Sequence, residues 1–219
     1  MARPRGRAGE RVTGSLWDHR ARELLRDAAS HAPTPGGGSV SALAGAFGFG
    51  LVLMALEITA RKKNPAPDVA DLLGRGRDLL PALTEDADED VRVFQAYVNA
   101  LNLPRDTDEH RAAREAAVKR AARRATDAPL HAARRLLGAI RFAADVVPVT
   151  HHAVVSDVGA GVAIIAGAAH ATLLNVDINA AHLAALDRAD ALREREALED
   201  DIPREASAVR AAVRARLMK

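Results

Sequence analysis

A long stretch of this chain carries no charge, which limits the fold to one in which the stretch is buried. No Asp, Glu, Lys or Arg occurs between Ala28 and Leu56, and small residues recur throughout it. A transmembrane helix needs about 20 apolar residues, but the prolines and glycines of residues 33–38 shorten the helical part. We therefore predict a buried core helix over residues 39–62, whose small residues permit close approach of another helix.

The segment Pro35-Gly36-Gly37-Gly38-Ser39 predicts a loop that leads into the N-terminus of this helix. Proline fixes an extended approach, glycine frees the backbone, and Ser39 is the predicted N-cap. A helix N-terminus presents unpaired N–H groups at the positive end of the helix dipole, so the segment is a candidate site for a carboxylate, a phosphate or an oxyanion. The alternative is a turn whose glycines only allow close packing.

Composition favours an all-α protein. The chain is 48% hydrophobic but only 3% aromatic, and its Ala, Leu and Val suit close-packed helices better than sheets. Its length fits one domain, predicted over residues 15–219 after a disordered basic tail over residues 1–14. The absence of cysteine excludes thiolate nucleophiles and cysteine-ligated zinc, and we expect a cytoplasmic protein.

The charge balance argues against nucleic acid as a partner. There are 31 Lys and Arg against 29 Asp and Glu, so the surface is of mixed sign. Two arginine-rich runs, residues 3–11 and 111–141, contain no aromatic residue for base stacking. We interpret both runs as solvated surface, with an anionic ligand facing the second run as the alternative.

A second stretch of small residues is similar to the first. Ser156 and Asp157 are the predicted N-cap pair of an apolar helix that extends to Leu174, and Gly159 and Gly161 lie on its small-residue face. Two such helices are expected to pack closely against each other, or against their copies in a dimer.

Apolar residues at helical spacing predict the remaining helices. Pro104 ends one of them, whereas Asp127 with Pro129, and later Pro203, are predicted to begin others. The predicted spans are residues 17–30, 68–103, 107–126, 127–147, 180–200 and 203–219, with Thr107 as a further N-cap.

Several familiar site motifs are absent from the sequence. The glycine segment lacks the Gly-Lys-Ser/Thr ending of a nucleotide-binding loop, and no His-x-x-x-His or Glu-x-x-His pair predicts a metal site. Asp90 lies one turn before Phe94 at the edge of a predicted buried face, where a carboxyl group can act as general acid or base. On spacing alone, a solvated acid in a charged patch is the better explanation of Asp90.

Five segments of the sequence are each common in proteins, but their occurrence together in one order is specific. They are Pro35-Gly36-Gly37-Gly38-Ser39-Val40 with Ala42-Leu43-Ala44-Gly45-Ala46, the Lys62-Lys63 pair, Asp90 with Phe94 before Pro104, Ser156-Asp157-Val158-Gly159, and Asn175-Val176-x-Ile178-Asn179. In this order, from about residue 17 to residue 182, the chain resembles the cyclodeaminase/cyclohydrolase family. That family includes the cyclodeaminase part of formiminotransferase-cyclodeaminase and stand-alone methenyltetrahydrofolate cyclohydrolases.

The resemblance implies an all-helical homodimer, not associated with a membrane, that uses no metal, nucleotide or cofactor beyond its tetrahydrofolate substrate. The family acts on a one-carbon unit between N5 and N10 of tetrahydrofolate. A cyclodeaminase closes a formimino group onto N10 and releases ammonia, whereas a cyclohydrolase adds water to the methenyl bridge and opens it to the formyl form. We expect the cyclohydrolase, because no formiminotransferase domain accompanies this chain.

The resemblance also implies roles for individual residues. Asp90 is the expected carboxylate near the reacting carbon, and Lys62 or Lys63 is expected to bind the folate carboxylates. The remaining expected binding residues are Gly36, Gly37, Gly38 and Ser39 as backbone donors to a ligand oxygen, and Ser156, Asp157, Asn175 and Asn179. The last three of these are expected to orient the pterin or the glycine segment.

Two positions depart from the family pattern. Glu57 stands where the family usually has asparagine, and Val149-Thr150-His151-His152 replaces a segment similar to Gly-Asn-x-Asn. His152 is then a candidate proton carrier. The departures favour, as an alternative, a non-catalytic folate-binding or structural dimer module; the alternative enzyme is a cyclodeaminase.

Overall fold

The computed structural model describes residues 14–219, which contain six α-helices, two short 3-10 helices and no β-strand. The α-helices are α1 (Ala21–Ala28), α2 (Gly37–Ala60), α3 (Val69–Leu101), α4 (Asp108–Val149), α5 (Val155–Ala180) and α6 (Ala185–Leu217). The predicted all-α fold class is confirmed. The tail predicted over residues 1–14 lies outside the described residues, apart from Gly14.

Five long helices surround one apolar core. α5 packs against α2, α4 and α6, and α3 packs against α2 and α4. Each long helix contributes a fully buried side chain to this core: Phe49, Val69, Ile140, Ile165 and Ile202. Burial of these faces supplies the main stabilisation, because single helices in water are marginal.

The two small-residue helices, α2 and α5, pack directly against each other, as predicted. A Cβ added to Gly48 would lie 2.8 Å from the Gly161 carbonyl oxygen, and one added to Gly161 would lie 2.4 Å from that of Gly48. The helices run antiparallel, since Gly45 faces Ala168 while the His151 N–H donates to Thr59 Oγ1 at 2.9 Å. Only glycine allows the backbones to approach this closely.

The predicted break at Asp127 and Pro129 is wrong, because α4 runs through both residues. Proline at position 129 removes the N–H that would bond to the Ala125 carbonyl four residues earlier. The side-chain amide of Asn179 donates to that carbonyl at 2.6 Å instead. Asp127 is not a cap but pairs with Arg123 one turn before it.

The predicted start of a helix at Pro203 is also wrong, because α6 is continuous there. Leu198, Ile202 and Ala206 are buried on one face on both sides of the proline, so packing holds the helix through it. Arg141 of α4 pairs with Asp201 and Glu205 across the same region. Arg123 and Arg134 of the same arginine-rich run also pair with acidic residues of α6.

Capping was predicted correctly at one helix and incorrectly at two others. The Thr107 hydroxyl accepts the His110 N–H, so Thr107 is the N-cap of α4. The N-cap of α2 is Gly36, which places Ser39 inside the first turn. The N-cap of α5 is Val154, and neither Ser156 nor Asp157 caps it.

The first described residues are attached to α3. Asp88 accepts hydrogen bonds from the Ser15 hydroxyl at 2.6 Å and the Leu16 N–H at 2.8 Å, and the Trp17 indole donates to the Thr84 carbonyl at 2.9 Å. In place of the single helix predicted over residues 17–30, a 3-10 helix (Leu16–Asp18) precedes the short α1.

Two helical segments, Gly37–Ala60 and His152–Ala180, are long and apolar enough to cross a membrane by length and composition. Of their most apolar windows, 67% and 44% respectively are buried inside the bundle. The core helix of a protein without a membrane meets the same criterion, and α2 and α5 pack closely against each other.

Candidate functional site

Asp90 is held against the glycine segment. The Ser39 hydroxyl donates to Asp90 Oδ2 at 2.6 Å, and the backbone of Ser39 also hydrogen-bonds the carboxyl group. Ser39 is fully buried. Burial raises the pKa of Asp90, while the two bonds from Ser39 act in the opposite direction. The carboxyl group is thus fixed in position, and its pKa is raised above the usual value of a carboxyl group.

Gly38 is the glycine that this arrangement requires. A Cβ at position 38 would lie 2.0 Å from Asp90 Oδ1, well inside contact distance, whereas a Cβ at Gly37 would meet nothing within 4 Å. Gly36 is an intermediate case, because a Cβ added there would lie 3.3 Å from the Pro33 carbonyl oxygen. The loop expected to receive a ligand oxygen therefore holds a carboxylate of its own chain, at least through Gly38 and Ser39.

A small cavity of about 20 Å³ borders Asp90. Its lining residues are Gly38, Ala42, Asp86, Glu89, Asp90, Ala128, Pro129, Ala132 and Thr172. Asp86 lies one turn before Asp90 on α3, so both carboxyl groups face the same space. A wider cleft of about 340 Å³ adjoins it through Asp86, Glu89 and Ala128, and is lined on its outer side by Arg92, Arg124, His131 and Arg135.

Asp86 is buried and ion-paired. Arg135 of α4 donates to Asp86 Oδ1, while Asp86 Oδ2 has no hydrogen-bond partner. Burial raises the pKa of Asp86 to about 6, although Arg135 works against this shift; the neighbouring Glu85 and Glu89 add to it. A carboxyl group in this range exchanges protons readily near neutral pH.

Sequence reasoning missed three residues of this site: Asp86, Arg135 and Thr172. The four-residue spacing of Asp86 and Asp90 was a signal that both share a helix face. Arg135 and Thr172 come from α4 and α5, and nothing local in the sequence marks them. Their place at the site follows from tertiary packing.

The structure places five of the predicted site residues at the far end of the bundle. Lys62 and Lys63 follow the C-terminus of α2, and His152, Ser156 and Asp157 lie beside it at the start of α5. At 1.5 Å per residue, Lys62 is about 36 Å along the helix axis from Gly38. Within one chain these residues do not meet Asp90, so a shared site with Asp90 requires a second copy.

The remaining predicted residues lie nearer to Asp90. Asn175 is one turn beyond the cavity-lining Thr172 on α5, and its side chain makes a long 3.4 Å contact with the Ala171 carbonyl. The amide of Asn179 is engaged by Ala125, as described above. Glu57, a departure from the family pattern, pairs with Arg77 at 2.5 Å at the other end of α2.

In the part of the chain that the structure describes, no group of three His, Asp or Glu side chains is placed to hold a metal ion. The site offers instead two carboxyl groups of raised pKa, a buried hydroxyl and a guanidinium group. Such a set can bind a cationic centre and move protons.

The fold and site define a class of all-helical proteins in which a helix of small residues holds a half-buried carboxylate at its glycine-rich N-terminus. Comparison with known families identifies the class. The profile described as formiminotransferase-cyclodeaminase matches residues 20–197. This chain belongs to that family, and the resemblance predicted from its sequence is confirmed.

Individual relatives agree with this assignment. A methenyltetrahydrofolate cyclohydrolase of Methylorubrum extorquens is 38% identical over 160 residues, which are 72% of this chain and 77% of that protein. A formimidoyltransferase-cyclodeaminase of Sus scrofa is 33% identical over 123 residues, 53% of this chain but 22% of the much longer relative. A counterpart from Rattus norvegicus is 32% identical over the same length.

The fold also has a solved counterpart. The crystal structure of formiminotetrahydrofolate cyclodeaminase from Thermotoga maritima matches with a TM-score of 0.79 and covers 92% of this chain and 98% of its own. The two sequences are 19% identical, so this likeness establishes the fold alone.

Proposed function

We propose that this protein is a methenyltetrahydrofolate cyclohydrolase. The observation that carries the proposal is the Asp90 carboxyl group, which is half-buried against Gly38, accepts a hydrogen bond from Ser39 and lines a small cavity beside the wider cleft. The relative from Methylorubrum extorquens bears that name, and the match to this chain covers 77% of the relative's length.

The proposed reaction proceeds through a tetrahedral carbon. The methenyl bridge is a cation shared between two nitrogens, and the carboxylate of Asp90 stabilises it electrostatically. Water adds to the bridge carbon and loses a proton. One carbon–nitrogen bond then breaks, the departing nitrogen takes up a proton, and the hydroxyl proton leaves as the formyl carbonyl forms.

The test is a direct assay of the purified protein with methenyltetrahydrofolate, followed by loss of the methenyl absorbance. The proposal expects enzyme-dependent loss of that absorbance above the spontaneous rate. Absence of turnover together with thermal stabilisation by folates would instead select a non-catalytic folate-binding module.

A cyclodeaminase is the second candidate, favoured by the cyclodeaminase names of the mammalian relatives. It differs in the direction of the absorbance change, because formiminotetrahydrofolate would gain the methenyl absorbance and release ammonia. The same preparation offered both substrates separates the two enzymes.

We further propose a homodimer formed through α2 and α5. In the single chain, Phe47 of α2 is 64% exposed and Ile178 of α5 is 67% exposed, although each helix also contributes fully buried side chains to the core. Further exposed apolar side chains on these two helices are Val40, Met54, Ile164 and Leu174. An apolar face of this kind is typical of a protein–protein interface.

A two-fold dimer places the same face of both copies in contact. If α2 packs antiparallel to its copy, the end that carries Lys62, His152 and Asp157 approaches the Asp90 end of the partner. This supports a binding site that draws its basic residues from one protomer and its carboxylates from the other.

A further inference from the structure

Two buried side-chain oxygens within residues 14–219 make no hydrogen bond: Asp86 Oδ2 and Thr172 Oγ1. Asp86 is 7% exposed and Thr172 is 2% exposed. A buried polar atom without a partner destabilises the fold unless something else bonds to it. The two residues belong to different helices, α3 and α5, and yet line the same cavity.

The cavity matches a single water molecule in size and chemistry. A water needs about 10–15 Å³ and two to four polar partners, and this cavity has a volume of about 20 Å³. The other carboxyl groups on its wall are engaged: Glu89 by Arg92 and Arg124, and Asp90 by Ser39. The unused hydrogen-bonding capacity therefore belongs to Asp86 and Thr172.

We propose that this cavity seats the water that attacks the methenyl carbon, with the Thr172 hydroxyl and the Asp86 carboxylate as its hydrogen-bond partners. The inference rests on the proposed cyclohydrolase function. As the water oxygen bonds to carbon, one carbon–nitrogen π pair moves onto nitrogen, and a water proton transfers to Asp86 Oδ2. The products of this step are the neutral hydroxy adduct and a protonated Asp86.

The contacts of Asp86 suit it to this role. Arg135 occupies the other carboxylate oxygen and keeps it in place, so Oδ2 is free to accept a proton. Besides Arg135, Glu85 and Glu89 of its own helix act on Asp86, and Asp90 lines the same cavity. The wall of the adjoining cleft adds four charged or titratable groups, Arg92, Arg124, Asp127 and His131. The two neighbouring carboxyl groups then have different roles: Asp86 accepts the proton of the water, and Asp90 stabilises the cationic methenyl bridge.

The test combines kinetics with structure. Thr172→Val removes the hydroxyl at nearly constant volume, Thr172→Ser retains it, and Asp86→Asn retains the bond to Arg135 while removing the base. The matched control is Thr126→Val, since Thr126 is equally buried but its hydroxyl donates to the Ala122 carbonyl of its own helix.

We expect kcat to fall about tenfold in Thr172→Val, which corresponds to the loss of one hydrogen bond, and about 100-fold or more in Asp86→Asn. KM should stay nearly constant, and Thr172→Ser and Thr126→Val should keep most of the wild-type kcat. High-resolution crystal structures should show a water between Thr172 Oγ1 and Asp86 Oδ2 in the wild type and no water there in Thr172→Val.

Each result bears on one of the two claims. An active wild type whose Thr172→Val and Asp86→Asn variants keep full kcat, or whose cavity holds no water, overturns the inference and leaves the proposed function intact. A wild type that does not hydrolyse methenyltetrahydrofolate overturns the proposed function and the hydrolytic role of the water with it.

Discussion

Gly38 and Asp90 form one unit, since the absence of a side chain at position 38 is what allows the carboxyl group to reach Ser39. The glycine segment therefore acts through the acid it positions. Contact with Asp90 accounts for the glycine at position 38 without a ligand oxygen bound by the loop. Gly37, by contrast, faces open space.

Gly38→Ala is expected to displace Asp90 and lower the free energy of unfolding by about 1–3 kcal/mol, as overpacking does. Gly37→Ala is the matched control, because the added methyl group meets nothing and alanine favours a helix by up to about 1 kcal/mol. Urea denaturation of both variants measures the difference. Equal stability of the two variants would contradict the packing seen at Gly38.

Asp86 is expected to make stability depend on pH. Its pKa rises from 3.8 in the unfolded chain to about 6 in the fold, so folding favours the protonated form. Its favourable contribution is complete below the unfolded pKa and is lost as pH rises through the folded pKa. Relative to Asp86→Asn, the wild type should lose about 2 kcal/mol between about pH 4.5 and about pH 7.5.

Denaturation of both proteins across this range provides the measurement. The comparison with Asp86→Asn cancels the contribution of the other titrating groups. A difference between the two proteins that stays constant with pH would show that Asp86 is not shifted.

At the scale of the helices, tertiary contacts determine whether a helix continues through a residue, such as proline, that locally predicts its end. Pro129 and Pro203 predict helix boundaries because proline removes a backbone donor, yet both lie inside continuous helices. At Pro129 the missing donor is replaced from α5 by Asn179. The apolar periodicity of α3, in contrast, predicted that helix within two residues at each end, and the uncharged, small-residue stretches predicted α2 and α5 as core helices.

Asn179→Ala should leave the Ala125 carbonyl without a partner and lower the free energy of unfolding by about 1–2 kcal/mol. In a Pro129→Ala background the restored N–H can bond to the same carbonyl, so the Asn179 substitution should then cost clearly less. Thermal or urea denaturation of the four proteins in this double-mutant cycle measures the coupling. Independent, additive effects would refute the link between Pro129 and Asn179.

The candidate site was predictable only in part. Ser39 and Asp90 were both named from the sequence, and the structure brings them together. Asp86, Arg135 and Thr172 were not named, since contacts between α3, α4 and α5 leave no local pattern. Lys62, His152 and Asp157 were expected near Asp90, but the length of α2 separates them from it within one chain.

At the scale of the whole molecule, the exposed apolar face of α2 and α5 leads to the proposed homodimer. Ile178→Asp places a charge in that face and should shift the protein from dimer to monomer and expose α2. Leu186→Asp on α6 is the control, because Leu186 is 83% exposed outside the face. Sedimentation at a fixed protein concentration measures the change; a wild type that sediments as a monomer would contradict the proposal.

The central claim is that Asp90 serves the hydrolysis of methenyltetrahydrofolate, and the most direct measurement is kcat for Asp90→Asn against wild type. Asp78→Asn is the control, an exposed carboxylate on the same helix. We predict that Asp90→Asn loses about 100-fold or more in kcat, while Asp78→Asn retains wild-type turnover. Full turnover by Asp90→Asn would contradict the role of Asp90.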